Sequence, residues 1–427
     1  MRPVYLDNNA TTRVDPKVVN AMLPFFTEQF GNASSMHAFG SEVGAALKHA
    51  RQQLQALLGT EFDHEIVYTG SGTESDNTAL LSALETQTGR DEIVTSVVEH
   101  PAILALCQWL QKNRGVKVHY TPVDSRGRLD IDAYRKALGP KTAIASIMWA
   151  NNETGTIFPV EQLADLAHDA GALFHTDAVQ AVGKVPIDLK TSEIDMLSLS
   201  GHKLHAPKGV GALYVRRGVR MRPLLRGGHQ ERGRRASTEN APAIVGLGVA
   251  AELALEHMQE EQTRVKGLRD RLEKGLQQRI GNAIVTGDPE SRLPNTANIA
   301  FEFIEGEGIL LLLNKEGIAC SSGSACTSGS LEPSHVLRAM KVPYTAAHGA
   351  IRFSFSRENT DHDVDRVLEV MPGVVDKLRE LSPFWKAGAN AQFAPTYALP
   401  PCWPWSCARK PNGHRDYGPR CSAMSAA

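Results

Sequence analysis

Short uninterrupted apolar runs alternate with amphipathic stretches through the first half of the chain. The runs at 66–68, 93–98, 143–148, 172–174 and 196–199 are too short for helices and lack polar alternation, so they read as strands buried on both faces. Between most of them, around 73–87, 101–113, 130–138 and 159–170, the pattern has helical period. Upstream, Val18, Met22, Phe25 and Phe26 recur at helical spacing after Asp15-Pro16, an N-cap followed by proline at the first turn. A second helix carries Val43, Leu47, Ala50, Leu54, Leu57 and Leu58 and stops at Gly59. Continuous apolar strands joined by crossover helices predict an α/β fold with a large, mainly parallel sheet. Ligands bind such sheets at the carboxyl ends of the strands.

The pattern changes further on. One long helical period over 241–279 predicts a link between lobes. After it, strands near 283–286, 297–303 and 350–356 mix with helices near 307–316, 334–340 and 361–380, the signature of a smaller α+β lobe. The expected organisation is a large domain over 15–255 and a small one formed by 1–14 with 256–385. The segment 386–427 has no amphipathic period and a single acidic residue, Asp416, so it is expected to be a disordered tail.

Composition excludes several classes. Lys and Arg number 46 against 47 Asp and Glu, so no global charge draws the chain to nucleic acid or to an anionic membrane. The N-terminus has no signal-peptide apolar region, and the longest apolar runs, such as 309–313, cannot span a bilayer. Six cysteines without a C-x-x-C pair make neither a disulfide framework nor a stable metal site. A soluble cytoplasmic protein is expected.

Two strand ends carry the chemistry. His175-Thr176-Asp177 closes one apolar strand, and Ser200-Gly201-His202-Lys203 closes the next. A lysine amine that can bond an aldehyde, beside a carboxylate that can keep a pyridine nitrogen protonated, is what pyridoxal phosphate (PLP) requires. Gly70-Ser71-Gly72-Thr73-Glu74-Ser75 follows a strand and opens a helix, so its backbone N–H groups can face a phosphate. By itself it reads as an ordinary turn; beside Lys203 it reads as a phosphate cup. No mononucleotide P-loop is present, the nearest approach being the stretch from Ala178 to Gly183-Lys184. His100 ends a strand before Pro101 and can stack on a ring or move protons near neutral pH. Asn152, in Asn151-Asn152-Glu153-Thr154-Gly155, fits either turn chemistry or a ligand contact. Arg352 interrupts an apolar strand and offers a planar fork to a carboxylate, unless it faces solvent from an edge strand. The cluster Arg226 to Arg235 lacks interleaved aromatics, so it suits a subunit interface better than RNA.

Cys326 lies in Ser321-Ser322-Gly323-Ser324-Ala325-Cys326-Thr327-Ser328-Gly329, whose small residues cannot build a core. An exposed thiol on a glycine-bracketed loop can swing, and its ordinary pKa of about 8.5 means that it needs activation to react. Cys320 ends the apolar run Gly317-Ile318-Ala319 and is expected to pack; Cys107, on a helical pattern, is expected in the core.

Assembled, these motifs resemble the cysteine desulfurases of the class V, fold-type I PLP enzymes, and within them the nitrogen-fixation branch. The resemblance covers about 1–385. It rests on Tyr5 to Thr12, Val98-Glu99-His100-Pro101, Met148 to Gly155, His175 to Gln180, Ser200 to Lys203, Arg226 to Arg235 and Ser321 to His335. It implies that Lys203 bonds the cofactor, Asp177 pairs with the pyridine nitrogen and Gln180 contacts the ring oxygen. It also implies that Gly72, Thr73, Ser200 and His202 hold the phosphate, with Thr238 reaching it from the partner subunit of a homodimer. Asn152 and Arg352 are then expected to bind the carboxylate of L-cysteine, His100 to carry protons, and Cys326 to carry a persulfide. The sulfur is expected to pass to an iron–sulfur scaffold protein serving nitrogenase, with Cys326 touching a cluster at most transiently. A selenocysteine lyase or aminotransferase of the same fold is the nearest alternative, and a non-enzymatic sulfur carrier the next. Three features depart from the family pattern: Ser237 where glycine is usual, Cys320 where small residues are usual, and the tail beyond 393–395.

Overall fold

The computed structural model describes residues 2–322 and 332–385; Cys326 and the 386–427 tail lie outside the described residues. The strands are β1 (Val4–Tyr5), β2 (Ile66–Thr69), β3 (Glu92–Ser96), β4 (Lys117–Thr121), β5 (Thr142–Ser146) and β6 (Leu173–Asp177). They continue with β7 (Met196–Ser200), β8 (Gly211–Val215), β9 (Ala283–Thr286), β10 (Thr296–Phe301), β11 (Ile318–Ala319) and β12 (Ala350–Ser354). Among the described residues, a seven-stranded sheet has the order β2-β8-β7-β6-β5-β3-β4. All its strands are parallel except β8, which runs against both neighbours.

Why these runs form a sheet covered on both faces is visible along β2. Ile66 and Tyr68 belong to one apolar cluster, while Val67, between them, belongs to the cluster on the opposite face. With a period of two and helices on each side, every strand residue needs to be apolar or internally hydrogen-bonded. Sequence pattern alone overlooks β4 and β8. β4 reads Lys-Val-His-Tyr-Thr at the sheet edge, where its alternate residues can stay polar.

A separate apolar cluster holds Leu268, Leu272, Ile299, Phe301, Ile351, Phe353 and Met371, and Val4 and Leu6 join it from the N-terminus. It covers the three-stranded antiparallel sheet β12-β10-β9. Nearby, β1 pairs in parallel with β11.

The period over 241–279 is not one helix. Helix Ala241–Glu256 ends at His257, and after a π-helical turn at Glu261–Val265 the chain continues as helix Lys266–Arg279. The two halves are bent by 54°. The bend changes which core each half serves: Leu247, Ala250 and Ala251 pack into the large cluster, and Leu268, Leu272 and Leu276 into the small one. A π turn adds a residue to one turn and so rotates the following face. Among the described residues, no single helix is long and apolar enough to cross a membrane.

Candidate active site

The carboxyl ends of the parallel strands deliver the site. β6 ends on Asp177, and β7 ends on Ser200, followed by the 3₁₀ turn Gly201–Lys203. β2 leads into helix Gly72–Thr86, whose N-cap Ser71 accepts from the Glu74 N–H at 3.1 Å. Glu74 in turn accepts from the Gly70 N–H at 2.7 Å, closing the first turn. Beyond β3, His100 caps helix Pro101–Arg114 through Nδ1, which accepts from the Ala102 N–H at 3.1 Å. With Nδ1 an acceptor, the neutral ring carries its proton on Nε2.

A cavity of about 350 Å³ opens where these ends meet. Gly72, Thr73, His100, Asn152, Asp177, Gln180, Ser200, His202, Lys203 and Arg352 all line it. Sequence reasoning missed Asn9, Ala10, Asp76 and Met148, which line it too. The main-chain oxygens of Asn9 and Ala10 accept from Lys203 Nζ at 2.5 and 2.7 Å, and Asn9 O also accepts from Gln180 Nε2 at 3.0 Å. Asp7 is a further omission: its carboxylate takes Arg352 Nη2 at 2.8 Å, while Nη1 donates to Asn152 O at 2.9 Å. Arg352 lies on an edge strand yet is buried, so the solvent-facing alternative fails.

The cavity fits PLP. Gly72 packs so closely that a Cβ there would stand 2.7 Å from Val179 Cγ2, which keeps the helix N-terminus open to an anion. Ser71, Thr73, Ser200 and His202 surround that end with donors. Asp177 is buried, and among the described residues it receives only the Val179 N–H, at 2.9 Å, and no salt bridge reaches it. Burial pushes its pKa up, against the opposing influence of His100 and Lys203, so a cationic ring nitrogen would complete its environment. Asp76, whose buried Oδ1 makes no hydrogen bond among the described residues and lies 3.7 Å from His175 Nε2, has its pKa pushed well up by burial and then by Asp177. His202 is pushed down to about 4, first by burial and then by Lys203, so it meets an anion as a neutral donor.

Glu99 lies beneath this group. It accepts from Ser96 Oγ at 2.6 Å and from the Met148 N–H at 3.1 Å, and burial raises its pKa to about 8. The folded state therefore holds a proton that the unfolded chain releases near pH 4.5. This contribution to stability is full below that range and is lost as pH rises through about 8. Glu99→Gln, permanently neutral, is expected to gain on the parent protein between pH 5 and pH 9, by on the order of 2–4 kcal/mol. Thermal unfolding across that range checks it; a difference in melting temperature that ignores pH counts against a protonated Glu99.

Cys326 lies outside the described residues, but the flanks of its segment do not. The Ser321 and Arg352 backbones pair, with Arg352 N–H to Ser321 O at 2.7 Å. On the other side Ser334 Oγ donates to Glu153, and His335 Nε2 contacts Glu99 O at 3.0 Å. Cys320 is half-buried against the small core, where burial pushes its thiol up to about 12; Cys107 is fully buried, with the same result. Thr238 is exposed and does not line the cavity of its own chain. Ser237 before it has φ +99°, a conformation that favours glycine. Arg235 ties this segment to Glu74, at 2.9 Å, in the first turn of helix Gly72–Thr86.

Residues 4–367 match the family model for class V aminotransferases, and the chain belongs to that family. Within it, the chain groups with the cysteine desulfurases. It is 81% identical over 400 residues to a cysteine desulfurase of Gluconacetobacter diazotrophicus, covering 93% of this chain and all of the relative. Against the cysteine desulfurase NifS of Azotobacter vinelandii the identity is 65%, with 93% of this chain and 100% of the relative covered. A solved NifS-like protein superposes with a TM-score of 0.82 at 40% identity, over 88% of this chain and 100% of that one. The fold is that of the fold-type I PLP enzymes.

Proposed function

We propose that this protein is a PLP-dependent cysteine desulfurase that converts L-cysteine to L-alanine and passes the sulfur to its own Cys326 as a persulfide. The observation that carries this reading is one cavity uniting Lys203, buried Asp177, an open helix N-terminus and the Arg352 fork. Bound PLP supplies an electron sink for the charge left when the substrate loses its α-proton. Arg352, steadied by Asp7, and Asn152 hold the substrate carboxylate. Lys203 takes the α-proton. His100, with its proton on Nε2, serves the thiol and product steps. The Cys326 thiolate attacks the substrate sulfur; the Sγ–S bond forms as the substrate Cβ–S bond breaks, and Cβ ends protonated in alanine.

In this reading the protein works in the cytoplasm as a homodimer, with exposed Thr238 reaching the partner's phosphate. The acceptor is an iron–sulfur scaffold protein, and the 65% identity to a NifS supports a supply line to nitrogenase. The test is anaerobic incubation of the purified protein with L-cysteine, measuring alanine, sulfide and protein mass together. Alanine equal to total released and protein-bound sulfur, without an added α-keto acid, is expected. Alanine production that requires a keto acid would make it an aminotransferase, and turnover restricted to selenocysteine a lyase.

A further inference from the structure

The stretch from Ala178 to Lys184 fails as a nucleotide loop and has another use. Gly183, at φ +76°, turns the chain where a Cβ would stand 2.5 Å from Leu204 Cδ2, next to Lys203. The turn sends the Lys184 side chain back under Gln180. Its buried Nζ donates to Gln180 Oε1 and to Gln180 O, both at 3.1 Å. Carbonyl oxygens only accept, so Nζ fixes which end of the amide faces it. The other end, Nε2, donates to Asn9 O in the cofactor cavity. Rotating the amide would set donor against donor at Lys184 and acceptor against acceptor at Asn9.

On its other side Lys184 borders a second, smaller cavity of about 20 Å³, room for about one water. Lys203, His205, His257, Glu261 and Arg357 are the other titratable or charged groups lining it. Glu261 comes from the π turn, and among the described residues its buried Oε2 has no hydrogen-bond partner. Burial lowers the Lys184 pKa to about 7, with Glu261 opposing.

We infer that Lys184 is a positioning residue that aims the amide N–H of Gln180 into the cofactor cavity, with Glu261 balancing its charge across the small cavity behind Lys203. The inference rests on the PLP reading of the larger cavity. Gln180 is then a donor of fixed direction, and losing that direction has the consequence of losing the donor.

The readout is the pH midpoint of the visible absorption band of the holoenzyme. Gln180→Ala should move it by about one pH unit, the size of one hydrogen bond. Lys184→Met should move it in the same direction by a similar amount, and the two together no further. Leaving Glu261 buried without Lys184 across the cavity endangers folding, whereas replacing both with apolar residues is far better tolerated. Lys184→Met/Glu261→Leu is therefore measured as well, and the shift should persist in it. A Lys184→Met shift that adds to that of Gln180→Ala, or that vanishes in the charge-neutral pair, overturns the positioning role and leaves the PLP reading intact. No shift in Gln180→Ala overturns the inference and leaves the PLP reading intact, whereas no visible band in the parent protein overturns the reading and the inference together.

Discussion

Lys203→Ala is expected to give a folded protein that turns over no L-cysteine and lacks the visible absorption of covalently bound cofactor. Lys203 sits on a 3₁₀ turn at the end of β7, with Nζ against the main-chain oxygens of Asn9 and Ala10. Asn9 O keeps the Gln180 donor when the lysine is removed, so the stability loss should stay near 1 kcal/mol. Activity should fall much further. The proton transfer that a positioned base supplies is worth about 10²–10⁴-fold, and the covalent anchor is lost with it. Absorption spectroscopy, alanine release and thermal unfolding on the same preparation separate the two effects. A variant that keeps both the visible band and normal alanine production would remove Lys203 from the reaction.

Much of this site is legible in the sequence because its residues close apolar strands. Asp177 and Lys203 each follow a run that must be a buried parallel strand, and parallel strands align their carboxyl ends. Gly72 and Thr73 are legible for the same reason, standing at a strand-to-helix turn. The residues that sequence reasoning missed come from elsewhere. Asp7 and Asn9 belong to no periodic element and reach Arg352, Gln180 and Lys203 only through the fold. Asp76 lies on a helix among Ser, Asn and Thr, where its acidity looks like a solvated face, yet it is buried. Glu261 hides in a charged helical stretch, and only the π turn points it at Lys184. A local pattern reports what a residue's neighbours in the chain demand; these four answer to neighbours far away in sequence.

The same contrast separates Cys320 from Cys326. Cys320 follows β11, is half-buried against the small core, and is held next to the Ser321–Arg352 pairing. With its pKa pushed up to about 12, it has almost no thiolate at neutral pH and no freedom to travel. Cys326 is five residues beyond Ser321, and an extended chain of that length spans about 17 Å. The proposed reaction needs that thiol to reach a substrate held by Arg352, and Ser321 and Ser334 are pinned on either side of its segment. Cys326→Ala is therefore expected to retain the visible cofactor band and respond spectrally to L-cysteine, because binding needs no thiol. It should form no persulfide and release alanine at a rate lower by roughly 10²-fold or more, the loss of a nucleophile. Cys320→Ala should keep most of the activity and lose about 1 kcal/mol of stability from the vacated volume. Peptide mapping after one turnover should find the added sulfur on Cys326. Sulfur on Cys320, or normal turnover by Cys326→Ala, would transfer the nucleophile's role to another group and require the packed thiol to leave the core.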